Sequence, residues 1–191
     1  MMNFFKNAKL QLWYALNDSP VFKTNVRRRL RILKLEQSFY YPDCIKFYSG
    51  LDFAGKGVLD IGSDFGTSPM YFLGNCATFV VGISLDSQYF HDHRYTHYQV
   101  KKEELKMETL RHVQDKFKCK VLKSDCEGFE WELTPEFISG FEDWVIALHT
   151  PISNEPLHEW IKENGEQIGE NRNREFTGRC CEFAVYRKVK L

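Results

Sequence analysis

Apolar residues recur along this chain with two different periods, and the change from one to the other divides it. Over the first 50 residues the spacing is three to four. Phe5, Ala8, Leu12 and Leu16 follow Asn3, a good helix cap, and the pattern stops at Asn17-Asp18-Ser19-Pro20. Ser19 and Pro20 then open a second predicted helix in which Phe22, Val26, Leu30 and Leu33 share a face. Residues 44–48 read as a short third helix ended by Gly50. From Gly55 onward, compact apolar runs alternate with helical patterns. Val58, Leu59 and Ile61 form the first run, Phe79-Val80-Val81-Gly82-Ile83-Ser84 the second, residues 98–100 a brief third and residues 121–125 the fourth. A fifth apolar strand ends in Leu148-His149. Between them lie predicted helices at residues 70–73, closed by Gly74-Asn75, and at residues 103–117, with Leu105, Leu110, Val113 and Phe117 inward. Asn154-Glu155-Pro156 starts another that Asn164-Gly165 stops. Residues 166–170 and 181–188 read as two final strands paired antiparallel across a polar loop. Strand alternating with helix predicts an α/β fold around a parallel sheet with right-handed crossovers.

The division predicts an N-terminal helical extension over residues 1–54 packed on a core of residues 55–191, together one domain. Composition agrees, since 191 residues with 43% hydrophobic content can bury one core. Lys and Arg number 26, as do Asp and Glu, so no overall charge draws the protein to nucleic acid. One local patch, Arg27, Arg28, Arg29, Arg31 and Lys34, keeps RNA as a second reading beside that of a solvated helix face. Six cysteines without a C-x-x-C pair fit free thiols in a reducing, cytoplasmic setting. No apolar run reaches the length of a membrane span. His91, His93 and His97 raise the question of a metal, but no trio of carboxylates accompanies them, and none is expected.

Chemistry concentrates at two places. The stretch Asp60-Ile61-Gly62-Ser63-Asp64-Phe65-Gly66-Thr67 follows the first strand and opens a helix, where free N–H groups suit an anion. Its glycine spacing is neither the dinucleotide G-x-G-x-x-G nor a P-loop. The second is Lys123-Ser124-Asp125-Cys126-Glu127-Gly128-Phe129-Glu130, three acids at the carboxyl end of a strand, where open α/β sheets place ligands.

The D-x-G-x-x-x-G pattern at Asp60, Gly62 and Gly66 resembles motif I of S-adenosylmethionine-dependent methyltransferases. Together with K-x-D-x-E-G-x-E from Lys123 to Glu130, it makes residues 55–151 similar to the FkbM-type family. The resemblance implies a Rossmann-like class I sheet, mostly parallel with an antiparallel last strand and helices on both faces. It implies S-adenosyl-L-methionine as cofactor, bound by Asp60, Gly62, Ser63, Asp64, Phe65, Gly66, Thr67 and Asp125, and methylation of oxygen on a small molecule or sugar. Where the pattern has an acid for the cofactor's ribose, this chain has Ser84, with Asp86 two residues on. Asp125, Glu127 and His149 are the candidates for taking the acceptor's proton, His149 or Glu127 as base and Asp125 as an orienting group.

Overall fold

In the computed structural model, the chain divides at Tyr40–Tyr41 into two units. The structure describes residues 47–48, 50–63, 66–85, 90–126, 128–171 and 183–189, all in the second unit. The two predicted N-terminal helices and the basic patch at residues 27–34 lie outside the described residues, as does most of the third helix, of which Phe47 and Tyr48 are helical.

Seven strands form one sheet: β1 (Gly57–Ile61), β2 (Phe79–Ser84), β3 (Tyr95–Gln99), β4 (Val121–Ser124), β5 (Asp143–His149), β6 (Gly165–Asn171) and β7 (Phe183–Lys188). Their order is β3-β2-β1-β4-β5-β7-β6. The first five run parallel, and β7 enters antiparallel between β5 and β6. Among the described residues they are accompanied by the helices α1 (Thr67–Gly74), α2 (Met107–Phe117), α3 (Pro135–Ser139) and α4 (Glu155–Asn164).

Alternation along the strands builds two cores, one on each face. Leu59, Ile61, Val81, Ile83, Leu122 and Ile146 meet Leu110 and Val113 of α2, Ile138 of α3, and Leu157 and Ile161 of α4. Their neighbours Val58, Val80, Val121, Val145 and Ala147 point the other way, toward Phe72 and Leu73 of α1 and Tyr48. Helices on both faces and a mostly parallel sheet with an antiparallel last strand are thus as expected.

Two elements differ from the sequence reading. β3 starts at Tyr95 rather than Tyr98, because Tyr95 and Thr96 pair with Val80 and Val81 of β2. A half-exposed edge strand carries mixed polar and aromatic residues, so its pattern looks like a loop. The helix expected from Glu103 begins only at Met107. Lys106 is extended, and before it Lys102–Glu104 form a separate 3₁₀ turn that Glu104 holds by accepting the Lys101 N–H at 3.0 Å.

Asn154 caps α4 by accepting the Leu157 N–H at 3.1 Å, and its amide donates to the Trp131 carbonyl at 2.9 Å. Asn154→Ala removes both bonds. A loss of about 1 to 2 kcal/mol is expected, read as a lower urea midpoint with an unchanged slope.

Candidate functional site

Parallel strands deliver their carboxyl ends to one edge, and four of them bring the sequence-marked residues there. β1 ends in the glycine turn, β2 in Ser84, β4 leads into Asp125 and β5 ends in His149. Gly62 has φ +79°, a region that L side chains rarely adopt, and a Cβ on it would lie 1.8 Å from the Asp125 carbonyl oxygen. The turn is fastened on both sides. Gly62 donates its N–H to Ile83 O at 2.8 Å, and the Asp125 N–H reaches Ile61 O at 3.0 Å. Gly66, φ +105°, precedes α1, whose first turn has neither a side-chain cap nor an acidic residue.

Beneath the turn lies a buried ion pair. Asp60 is 0% exposed, accepts from the Ser68 hydroxyl at 2.5 Å and sits 2.9 Å from the ammonium of Lys123. Lys123 also donates to Gly62 O at 2.6 Å. Asp60 thus braces the turn from below and presents no surface. Ser63 is buried as well, and accepts from the Tyr95 hydroxyl at 3.4 Å. Burial pushes the Tyr95 phenol upward, so it stays a donor.

At the end of β2, Ser84 Oγ lies 3.0 Å from His97 Nε2. Burial lowers the His97 pKa and favours the neutral ring. His97 lines a cavity of about 540 Å³ with Phe90, His91, Asp92, His93, Tyr95 and Gln99. These residues come from β3 and the stretch before it, and Asp125 is not among them. His97 is part of β3, in register with Gly82, ahead of the third strand expected at residues 98–100. Among the described residues no group of three His, Cys, Asp or Glu side chains is placed to hold a metal ion. Asp64, Phe65, Asp86 and Glu127 lie outside the described residues, as does the side chain of Thr67.

The most connected group on this edge is one the sequence reading did not select. Glu130 is 0% exposed, and its Oε1 accepts the His149 backbone N–H at 2.7 Å and lies 2.6 Å from His149 Nδ1. Its Oε2 accepts the Gly128 N–H at 2.9 Å and the Cys126 thiol at 3.6 Å. Gly128, with φ +111°, turns the chain so that Glu130 points back at its own loop. On its other side His149 Nε2 is 3.6 Å from the one-third-exposed carboxylate of Asp125. The Trp131 indole donates to His149 O at 2.7 Å, so the histidine is held at both backbone groups. The signal for Glu130 was its place two residues after a glycine in the acidic motif.

Burial works to raise the Glu130 pKa, but the His149 ring and N–H bonds outweigh it and the net shift is downward. A depressed carboxyl contributes stability that is full above its unfolded value, 4.5, and is lost as pH falls through the folded one. Stability is therefore expected to drop below about pH 4.5, and Glu130→Gln to flatten that slope in urea unfolding across acid pH.

The fold is found in solved structures. The candidate hemolysin of Streptococcus thermophilus has a TM-score of 0.50 at 12% identity, over 77% of this chain and 64% of that one. M. capricolum TrmK, in complex with its natural cofactor product S-adenosyl-homocysteine, also has a TM-score of 0.50, at 13% identity over 75% of this chain and 65% of that one. A candidate S-adenosylmethionine-dependent methyltransferase from Listeria monocytogenes has 0.46 at 11%, over 76% and 97%. The chain spans a little under two thirds of the length of the first two. No family model and no curated protein matches the sequence. The likeness is one of fold, an α/β arrangement around a mostly parallel, Rossmann-like sheet.

Proposed function

We propose that this chain is an FkbM-type, S-adenosylmethionine-dependent methyltransferase that acts in the cytoplasm on an oxygen of a small molecule or sugar. The observation that carries this reading is the contact between the two marked places. The Gly62 turn touches the backbone of Asp125, and His149 stands beside Asp125 on the same edge. A ligand lying in the turn therefore reaches an ionisable cluster, as group transfer requires. The likeness in fold to TrmK, seen with S-adenosyl-homocysteine, supports the choice of ligand.

The residues fit such a cofactor. Gly62 lets the turn approach the Asp125 main chain more closely than any Cβ would allow, and the uncapped start of α1 offers N–H groups to a carboxylate. Residues 62–67 would hold the amino-acid end, the Ser84–His97 pair with Asp86 the ribose, and Asp125 would orient the ligand. When bound, the cofactor supplies a methyl group on a positively charged sulfur. The chain's part is to align the acceptor oxygen and remove its proton, for which His149 and Glu127 are the candidates. No helix among the described residues is long and apolar enough to cross a membrane.

Incubation with methyl-labelled S-adenosylmethionine and separate pools of small molecules, sugars and RNA tests the reading. Label in the small-molecule or sugar pool is expected. Label in RNA alone, with binding that weakens steeply with salt, would favour the basic patch at residues 27–34 instead. Cofactor binding without transfer to any pool would make the chain a binding module.

A further inference from the structure

Every hydrogen-bonding position of the buried Glu130 carboxylate faces a donor. The His149 N–H and the Gly128 N–H are peptide groups and can only donate, at 2.7 and 2.9 Å, one to each oxygen. Those donors help hold the carboxyl ionised, its pKa being lowered, so both oxygens only accept and the imidazole nitrogen 2.6 Å from Oε1 brings a hydrogen of its own. A bare Nδ1 there would set one lone pair against another beside a fully buried carboxylate, which is costly. With the hydrogen on Nδ1, the lone pair of the neutral ring falls on Nε2. That atom looks toward Asp125 and the carboxyl edge where the glycine turn lies.

We infer that Glu130 is a positioning residue: it fixes His149 in the Nδ1–H tautomer, with Nε2 turned toward Asp125, and so equips His149 to take the acceptor's proton. The inference rests on the methyltransferase reading for its last clause only. In the step it describes, the acceptor O–H bond breaks and its proton joins Nε2. The electron pair left on oxygen forms the bond to the methyl carbon, and the carbon–sulfur bond breaks with its pair going to sulfur. The imidazolium so formed stands between two carboxylates, Glu130 and Asp125, which stabilise it.

The ionisable groups facing the imidazole among the described residues are Glu130 from the turn after β4 and Asp125 from the end of β4, with the Cys126 thiol behind Glu130. From the neighbouring strand, β7, the residue in register with His149 is Phe183, which carries no charge.

The test uses the full chain labelled with ¹⁵N in histidine. Long-range ¹H–¹⁵N correlation above the titration midpoint of His149 is expected to show Nδ1 protonated and Nε2 bare. In Glu130→Gln the His149 midpoint is expected to fall by about one pH unit or more, because a neutral amide no longer favours the imidazolium. An Nε2–H tautomer in the unaltered protein overturns the inference, and this measurement stands even if the variant does not fold. An unshifted His149 midpoint in a folded Glu130→Gln also overturns it, since a group that merely ties down backbone would leave the titration in place. Titration with S-adenosyl-homocysteine runs alongside. Failure to bind would remove the methyltransferase reading and the role as base, while the tautomer result would still decide whether Glu130 orients the ring.

Discussion

Gly62→Val is expected to abolish binding of S-adenosyl-homocysteine and to destabilise the protein by at least about 2 kcal/mol. Two independent costs combine. The backbone at φ +79° disfavours any β-branched residue, and the first atom of the new side chain would meet the Asp125 carbonyl at 1.8 Å. That oxygen belongs to main chain tethered to Ile61, so it cannot swing aside as a flexible side chain would. The turn has to open, and the opening separates it from Asp125. In the unaltered protein, ligand at a hundred times its Kd adds about 2.7 kcal/mol, or roughly 5 to 10 °C in Tm. Thermal unfolding with and without ligand checks both effects together. A folded Gly62→Val that keeps the ligand-induced rise would show that the turn is not the seat.

Lys123→Met is expected to cost about 3 to 5 kcal/mol, the second large effect. Lys123 is 2% exposed, and methionine fills nearly the same volume, so the loss is electrostatic rather than a cavity. Asp60 would remain fully buried, accepting from the Ser68 hydroxyl, while the Gly62 carbonyl would lose its ammonium donor. An unpaired buried carboxylate is far costlier than an absent pair. Asp60→Asn combined with Lys123→Met is therefore expected to recover a large part of the stability. Urea unfolding of the two variants checks this. A single variant within about 1 kcal/mol of the unaltered protein would mean the pair carries no net weight.

Much of the fold could be read from residue patterns because its central strands are buried on both faces and appear as continuous apolar runs, such as Val80-Val81-Gly82-Ile83. The first part of β3, before Tyr98, escaped because only one side of an edge strand needs apolar residues, and histidine and tyrosine serve there as well. The site was legible in outline. Gly62, Ser84, Asp125 and His149 were marked by sequence, and the parallel sheet carries all four to one edge. Partnerships were not. That Lys123 reaches back to Asp60, or that Glu130 rather than Asp125 lies closest to His149, depends on which face a strand-end residue takes and on the Gly128 turn. A lysine inside the apolar run Val121-Leu122-Lys123 was a sign of a buried partner, since an unpaired charge could not remain there.

Calorimetric titration of S-adenosyl-homocysteine into the full chain tests the central claim most directly. The account predicts saturable binding of one ligand per chain that is lost in Gly62→Val. Absence of any saturable heat, together with an unmoved Tm at millimolar ligand, would contradict it.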